Sequence, residues 1–519
     1  MTTAQMRLVE ALCDPGRYPH PVTEVAHRET HISHVLLAGD YAYKIKKPLD
    51  LGFLDFTRLE DRRFYCDEEI RLNGRLAPAI YLDAVAITGT PEAPVIAGVG
   101  EAIEYAVRMR RFDEERRADR MLAAGRLAAQ HARELADVAA RFHECAAADP
   151  PDPYPGSSEA LAAAMRDNVV QIETRVTAAA DRARVERLST WIERQLGELA
   201  PVIAERRRAG RVRECHGDMH LANIVWLDDG PAIFDGIEFN TAMRWIDVAA
   251  DIAFLVMDLD ARGAPALAGH VLDEWLAVTG DYDALQTIRI YLVYRAMVRA
   301  KIAAIRMIQE AGSGDAAADA ETMRTYLELA EAYVGASASA VVITRGVAGT
   351  GKSTAAQSLV ERIGAVRLRS DVERMRLYPD AAPAERYGAH ANTAVYDRLA
   401  QLARAVAVVG LPVVVDATFL ERDQRLRFLE LARELNVPFR ILDVELPPAE
   451  AERRIAARRA SGADQSEADA AIMRRQRERI EPLSPLERDY RVAVDNSGSA
   501  PVVPPTGLTH GRGQGCDTE

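Results

Sequence analysis

A chain of 519 residues and 57.0 kDa calls for two large domains or about three smaller ones. Hydrophobic residues at 48% and charged residues at 28% suit ordinary cores, and no apolar run approaches the ~20 residues of a membrane span. The net charge of −13 is uneven: residues 340–495 hold 25 Arg plus Lys against 23 Asp plus Glu, or +2, which leaves −15 for the remainder. An acidic first part speaks against nucleic acid as its partner and for a cationic or neutral substrate.

No basic region followed by an apolar run opens the chain, so no secretory leader is expected. The five cysteines are scattered without a C-x-x-C pair, which suits a reducing cytoplasm. Of 65 basic residues only five are lysines: Lys44, Lys46, Lys47, Lys301 and Lys352. A position that stays lysine in so arginine-rich a chain points to a need for a compact, flexible ammonium.

In chain order, residues 1–30 read as a helix and a proline-containing loop. His34–Leu37 and Tyr41–Lys46 flank a Gly39-Asp40 turn and predict a β-hairpin, with Lys44 and Lys46 on one face. A helix is expected over 57–76, strands at 81–88 and 103–109, and mostly helix from 113 to 210, broken by the proline loop 149–156. These helices read as scaffold. Next comes His216-Gly-Asp-Met-His-Leu-Ala-Asn223, an apolar strand, a turn and a second strand ending at Asp235. H-x-D-x-x-x-x-N followed by a strand-borne Asp is what phosphoryl transfer needs: a base for the attacking hydroxyl and oxygens for Mg²⁺. His220 reads as ordinary hydrogen-bonded filler. Asp258 and Asp260 read equally as a receptor for a cationic substrate or as a solvated helix end.

Those residues, with Ile233-Phe-Asp-Gly-Ile-Glu238 and Asp247-Val-Ala-Ala-Asp-Ile-Ala-Phe254, resemble the aminoglycoside phosphotransferase family, the small-molecule branch of the protein-kinase-like fold. The resemblance covers roughly residues 25–335. It implies Asp218 as catalytic base, His216 as the residue that orders the loop, and Asn223 and Asp235 as metal ligands. It also implies a strand lysine on the nucleotide phosphates, best matched by Lys44, paired with Glu69 or, alternatively, Glu68. One departure stands out: no G-x-G-x-x-G loop precedes Lys44.

Helices with apolar residues at helical spacing are expected over 282–334, and the small-residue segment 335–339 reads as a linker. Strand 340–344 then leads into Gly346-Val-Ala-Gly349-Thr350-Gly351-Lys352-Ser353-Thr354 and a helix to Ile363, the strand–turn–helix setting that the G-x-x-x-x-G-K-[ST] motif requires. Glycines let backbone N–H groups curl round an anion, Lys352 reaches the β- and γ-phosphates, and the Ser353 hydroxyl holds Mg²⁺. A second strand runs into Ser370-Asp371, a helix spans 392–409, and 411–418 is an apolar strand ending in Asp416, placed as a metal-binding carboxylate. Strands alternating with helices predict a doubly wound parallel sheet.

This half resembles P-loop small-molecule kinases of the zeta-toxin, gluconate-kinase and polynucleotide-kinase type over about 340–495. The likeness implies that Asp371 binds and deprotonates the acceptor, that Arg374 holds it, and that one of the eight arginines at 453, 454, 458, 459, 474, 475, 477 and 479, with Arg454 and Arg458 at helical spacing singled out, meets the transferring group as a lid arginine.

The expected fold is thus an α+β, kinase-like, two-lobed domain over 1–334, a linker at 335–339, an α/β P-loop domain over 340–495 and a disordered tail over 496–519. The expected function is ATP- and Mg²⁺-dependent phosphorylation of small-molecule hydroxyls from two nucleotide sites, with GTP also compatible, in the cytoplasm. Neither a membrane nor nucleic acid is expected as partner, and oligomeric state is not legible. A nucleotide-sensing protein with a degenerate first domain is the alternative, as is a nucleic-acid 5′-end kinase.

Overall fold

The computed structural model describes residues 3–52, 54–148, 150, 154–309, 315–335, 339–461 and 470–496. It divides into two compact units. One comprises residues up to Arg262 with Ile290–Glu331, and the other comprises Gly263–Arg289 with residues from Ala332 onward. No helix among the described residues is long and apolar enough to cross a membrane.

The first unit opens on a six-stranded antiparallel sheet. Its strands are β1 (Val25–Glu29), β2 (Ser33–Ala38), β3 (Tyr41–Lys46), β4 (Tyr81–Thr90), β5 (Ala93–Ile96) and β6 (Ala102–Arg110), in the order β1-β2-β3-β6-β4-β5. Period-two alternation sorts β3 between the two faces. Tyr43 and Ile45 join Leu8 and Val9 of the first helix (Thr3–Ala11), and Leu12 just beyond it, in one core. The opposite face carries Lys44 and Lys46, and there Cys66 of the helix Leu59–Asn73 packs with Tyr81 and Val107. β1 and β5, which sequence periodicity did not reveal, are both edge strands. β1 is almost wholly exposed and lacks alternation, and β5 contains Pro94.

A largely helical second lobe follows. It carries two small antiparallel pairs: β7 (Val212–Glu214) with β10 (Trp245–Asp247), and β8 (Ile224–Leu227) with β9 (Gly230–Ile233). The helix Val248–Ala261 is buried nearly all round, which explains its continuous apolar run.

The second unit is built on β11 (Val341–Arg345), β12 (Val366–Arg369), β13 (Val413–Asp416), β14 (Phe439–Glu445) and β15 (Arg491–Asp495). The order is β12-β13-β11-β14-β15, every pair parallel, as the alternation of strands and helices predicted. β15, a further edge strand, was missed.

The spatial units depart from the expected domain bounds in two places. Residues 263–289, assigned by sequence to the first domain, group with the second unit. There Asp273 of the helix Pro265–Thr279 forms a buried ion pair with Arg367 of β12 at 2.7 Å, and Gln357 hydrogen-bonds His270 at 3.1 Å. Nor does the tail begin at 496. Asn496 is buried, and its Nδ2 donates to the Thr350 carbonyl at 2.5 Å. Residues 497–519 of the expected tail lie outside the described residues.

Candidate functional site

In the first unit the predicted residues converge. Lys44 Nζ lies 2.8 Å from Glu69 Oε1 and 2.5 Å from Asp235 Oδ1. Glu69 is fully buried and is the partner, while Glu68 pairs with Arg71 instead. Burial works against both charges, but Asp235 and Glu69 hold Lys44 protonated, and the two lysines hold Glu69 below the usual carboxylate range.

Sequence reasoning missed a second bridge. Lys46, wholly buried, donates to Glu69 Oε2 at 2.7 Å and to Glu238. Glu69 thus accepts from two lysines, and the pH dependence follows. Its folded pKa is depressed to about 2, so its stabilisation is full above about 4.5 and is lost as pH falls from there through about 2. Glu69→Gln, which leaves two ammonium groups short of a counter-ion, is expected to be less stable than wild type near pH ~7, with the gap narrower but still open at pH ~3. Urea midpoints at the two pH values check this; a gap that widens in acid contradicts it.

Asp235 occupies the left-handed region at φ 62°, unusual for a residue with a side chain. Three contacts hold it there: its N–H donates to the Tyr81 hydroxyl at 3.1 Å, the Gly236 N–H donates to Asn73 Oδ1 at 2.7 Å, and its carboxylate meets Lys44. Tyr81→Phe leaves that N–H without its partner and is expected to destabilise the first unit by about 1–3 kcal/mol. Tryptophan fluorescence in denaturant reads this directly, because Trp191, Trp226 and Trp245 of the four tryptophans lie in that unit.

The loop 216–223 is fixed from several sides. Asp251 accepts the His216 N–H at 3.0 Å and the Gly217 N–H at 2.9 Å. His216 Nε2 lies 2.9 Å from the Phe234 carbonyl, and its Nδ1 lies 3.3 Å from the Asp218 N–H. Burial lowers the His216 pKa, so the neutral ring donates at Nε2 and accepts at Nδ1. His216 therefore bridges the loop backbone at Asp218 and the residue before Asp235. Asn223 Nδ2 donates to Asp218 Oδ2 at 3.1 Å, which leaves the amide oxygen of Asn223 for another partner. Asn223 and Asp235 flank the β8–β9 hairpin. Amide and carboxylate oxygens are the donor set of a hard cation, so these residues fit Mg²⁺.

His220 is hydrogen-bonded, as expected, and its partner is the Asp218 carboxylate: its Nε2 lies 3.3 Å from Asp218 Oδ2. Burial raises the Asp218 pKa, but His220, supported by His216 and Arg299, holds it below the ordinary range. One reading is corrected here: Asp258 does not sit at a solvated helix end. It is fully buried and accepts the Leu221 N–H at 3.0 Å.

In the second unit, Gly346, Gly349 and Gly351 all have positive φ. A Cβ on Gly346 would lie 2.6 Å from the Val444 carbonyl oxygen, so that turn tolerates no side chain. Lys352 Nζ rests 2.8 Å from the Val347 carbonyl, and Thr350 Oγ1 caps the same carbonyl at 2.9 Å. A cavity of about 660 Å³ is lined by Gly349, Gly351, Lys352, Ser353 and Thr354 together with Asp371, Arg374 and Asp416. It lies at the carboxyl ends of the parallel strands, where such sheets bind ligands. The Ser353 hydroxyl and Asp416 carboxylate are again oxygen donors suited to Mg²⁺. Burial, and then the charge of Asp416, push the Asp371 pKa up, toward a better proton acceptor.

Arg454 differs from expectation. Arg454 pairs with Glu450 at 3.0 Å and donates to the Asn496 carbonyl at 2.9 Å, away from the cavity walls. The Arg458 side chain lies outside the described residues. Arg475 and Arg479 line the cavity instead.

Residues 66–288 match the family model described as "Phosphotransferase enzyme family", and residues 341–483 match one described as "AAA domain". The uncharacterized protein Rv2004c of Mycobacterium tuberculosis (strain ATCC 25618 / H37Rv) is 30% identical over 489 residues, 90% of this chain and 95% of that one. The chain belongs to the Rv2004c family. Membership extends over both domains, so this family joins a phosphotransferase domain to a P-loop kinase-like domain in one chain. Among solved structures, a choline/ethanolamine kinase family protein from Mesorhizobium loti matches 64% of this chain and 100% of its own at 12% identity and a TM-score of 0.38. A gluconokinase from Sinorhizobium meliloti 1021 matches 31% of this chain and 85% of its own at 19% identity and a TM-score of 0.23.

Proposed function

We propose that this member of the Rv2004c family is a double kinase, each domain transferring a phosphoryl group from ATP to a hydroxyl of a small molecule. The observation that carries the reading is Lys44 held between Glu69 and Asp235 at 2.8 and 2.5 Å, the ion-pair arrangement that kinase-like phosphoryl transfer uses. In the first domain Lys44 contacts the nucleotide phosphates, Asp218 accepts the proton of the acceptor hydroxyl, and Asn223 and Asp235 hold Mg²⁺. In the second, the backbone of 346–351 and Lys352 cradle the phosphates, Asp371 accepts the acceptor's proton, and Ser353 and Asp416 hold Mg²⁺. Bound Mg²⁺ offsets negative charge on the phosphates.

A first domain that binds nucleotide without transferring it is the second reading. One observation favours it: β2 and β3 are joined by the two residues Gly39 and Asp40, too short a turn to fold over phosphates. The test is acceptor-stimulated ATP turnover by the full chain over aminoglycosides, sugars, nucleosides and 5′-hydroxyl oligonucleotides, in wild type, Asp218→Ala and Lys352→Ala. The double-kinase reading expects each variant to lose a different set of acceptors. If Asp218→Ala changes nothing while Lys352→Ala abolishes turnover, the first domain is a sensor.

A further inference from the structure

The glycine-rich loop of the second unit is braced from outside its own motif. Asn496 stands one residue past β15, and its buried side chain reaches back to the loop, where Nδ2 donates to the Thr350 carbonyl at 2.5 Å. A Cβ on Gly351 would lie 2.0 Å from that nitrogen, so the bare Cα of Gly351 is what admits the amide. The far side of Asn496 is fixed as well. Arg454, on the helix Pro448–Ser461, donates to its carbonyl at 2.9 Å while pairing with Glu450 at 3.0 Å. Two residues earlier, Val494 is buried in one core with Val342 of β11 and with Ala355, on the helix Lys352–Ile363 that follows the loop.

A trans peptide is planar, so its carbonyl and its N–H point in opposite directions. The Thr350 carbonyl and the Gly351 N–H share one such peptide. Glycines at 349 and 351, with φ of 82° and 92°, lie close on either side of it and offer little steric resistance to its turning over. The Val347 carbonyl is held from within the motif, by Thr350 Oγ1 and Lys352 Nζ. The Thr350 carbonyl is held from beyond it, by a residue some 146 positions along the chain. With that carbonyl turned to Asn496, the Gly351 N–H is turned the other way. Gly351 lines the cavity and Asn496 does not. Backbone N–H groups of such a loop carry the contacts to phosphate, so the direction of this one peptide bears on nucleotide affinity.

We propose that Asn496 is a positioning residue of the P-loop site: by holding the Thr350 carbonyl it keeps the Gly351 N–H aimed at the phosphates of the bound nucleotide. Arg454 acts one step further out, by holding Asn496. This rests on the reading of the loop as a nucleotide site, and it gives the edge strand β15 a part in that site.

The test titrates ADP with Mg²⁺ by calorimetry into the full chain and reads the binding that Lys352→Ala abolishes. Asn496→Ala removes the donor, and Asn496→Leu removes it while filling its space. Each is expected to weaken that binding about tenfold or more, the scale of one buried hydrogen bond left unmade. In the ligand-free protein, amide exchange across 346–351 is expected to quicken in both variants while exchange in β13 stays as in wild type. Arg454→Gln leaves the amide but frees its carbonyl side. It guards against a fold lost with the buried residue and is expected to weaken ADP binding about threefold or more. Wild-type ADP affinity in both Asn496 variants overturns the proposal, even if their denaturant midpoints fall, because the residue is then structural only. Wild-type affinity in Asn496→Leu alone also overturns it, since filling space then suffices. ADP binding that survives Lys352→Ala intact overturns the nucleotide reading of the loop itself, a separate result.

Discussion

Asp218→Ala is expected to lower the first domain's acceptor-dependent turnover by between ~10² and ~10⁴-fold, the range for removing a positioned general base. The ATP affinity of that domain is expected to change little, because the nucleotide-facing group in this reading is Lys44, held by Glu69 and Asp235 rather than by Asp218. Alanine also leaves Asn223 Nδ2 and His220 Nε2 without the oxygen they share. Asp218→Asn is therefore the informative companion: it keeps an oxygen there but cannot take a proton. Equal losses in both variants assign the effect to proton transfer. Recovery in Asp218→Asn would instead assign it to the geometry of the loop, and Asp218 would then be a positioning residue. Steady-state kinetics on any acceptor lost in Asp218→Ala but kept in Lys352→Ala decides between them.

What the chain disclosed in advance follows from how far each interaction reaches. The P-loop is local: strand, glycines, lysine and helix lie within a few turns of one another, and the backbone of Gly346–Gly351 adopts the positive φ values that only those glycines permit without strain. Lys44 and Glu69 were legible only through the family resemblance, which pairs a strand lysine with a helix glutamate and left Glu68 open as the partner. The residues that hold the first site together were not. Tyr81 meets Asp235 across 154 positions, Asn73 meets Gly236 across 163, and Lys46 meets Glu238 across 192. Each is a single buried polar side chain with no periodicity to announce it, and only the folded sheet brings it to its partner. Asp258 misled for the same reason: at the end of an apolar helix a carboxylate reads as solvated until the loop it caps is known. Edge strands were lost differently. β1 has no buried face to impose alternation, and β15 pairs on one side only, against β14.

Lys352→Ala is expected to lower the second domain's turnover by about 10²–10³-fold, the scale for removing one charge-stabilising donor from a phosphoryl-transfer site. The ammonium rests 2.8 Å from the Val347 carbonyl, inside the curl of the loop it serves. A swing of its flexible stem is enough to bring it to a phosphate lodged there. Thr350 Oγ1 donates to the same carbonyl, so truncating Lys352 does not leave that oxygen without a partner. Thr350 is in turn tied to Asn496 through its own carbonyl. The loop should therefore keep its shape, and the loss should fall on nucleotide affinity and turnover rather than on stability. Lys352→Arg separates charge from size, because a planar guanidinium on a longer stem does not fit the curl that an ammonium fills. If Lys352→Arg turns over as wild type does, a cation anywhere near the loop suffices. If it is as slow as Lys352→Ala while both variants unfold at the wild-type denaturant midpoint, the compact ammonium inside the loop is what the second domain requires.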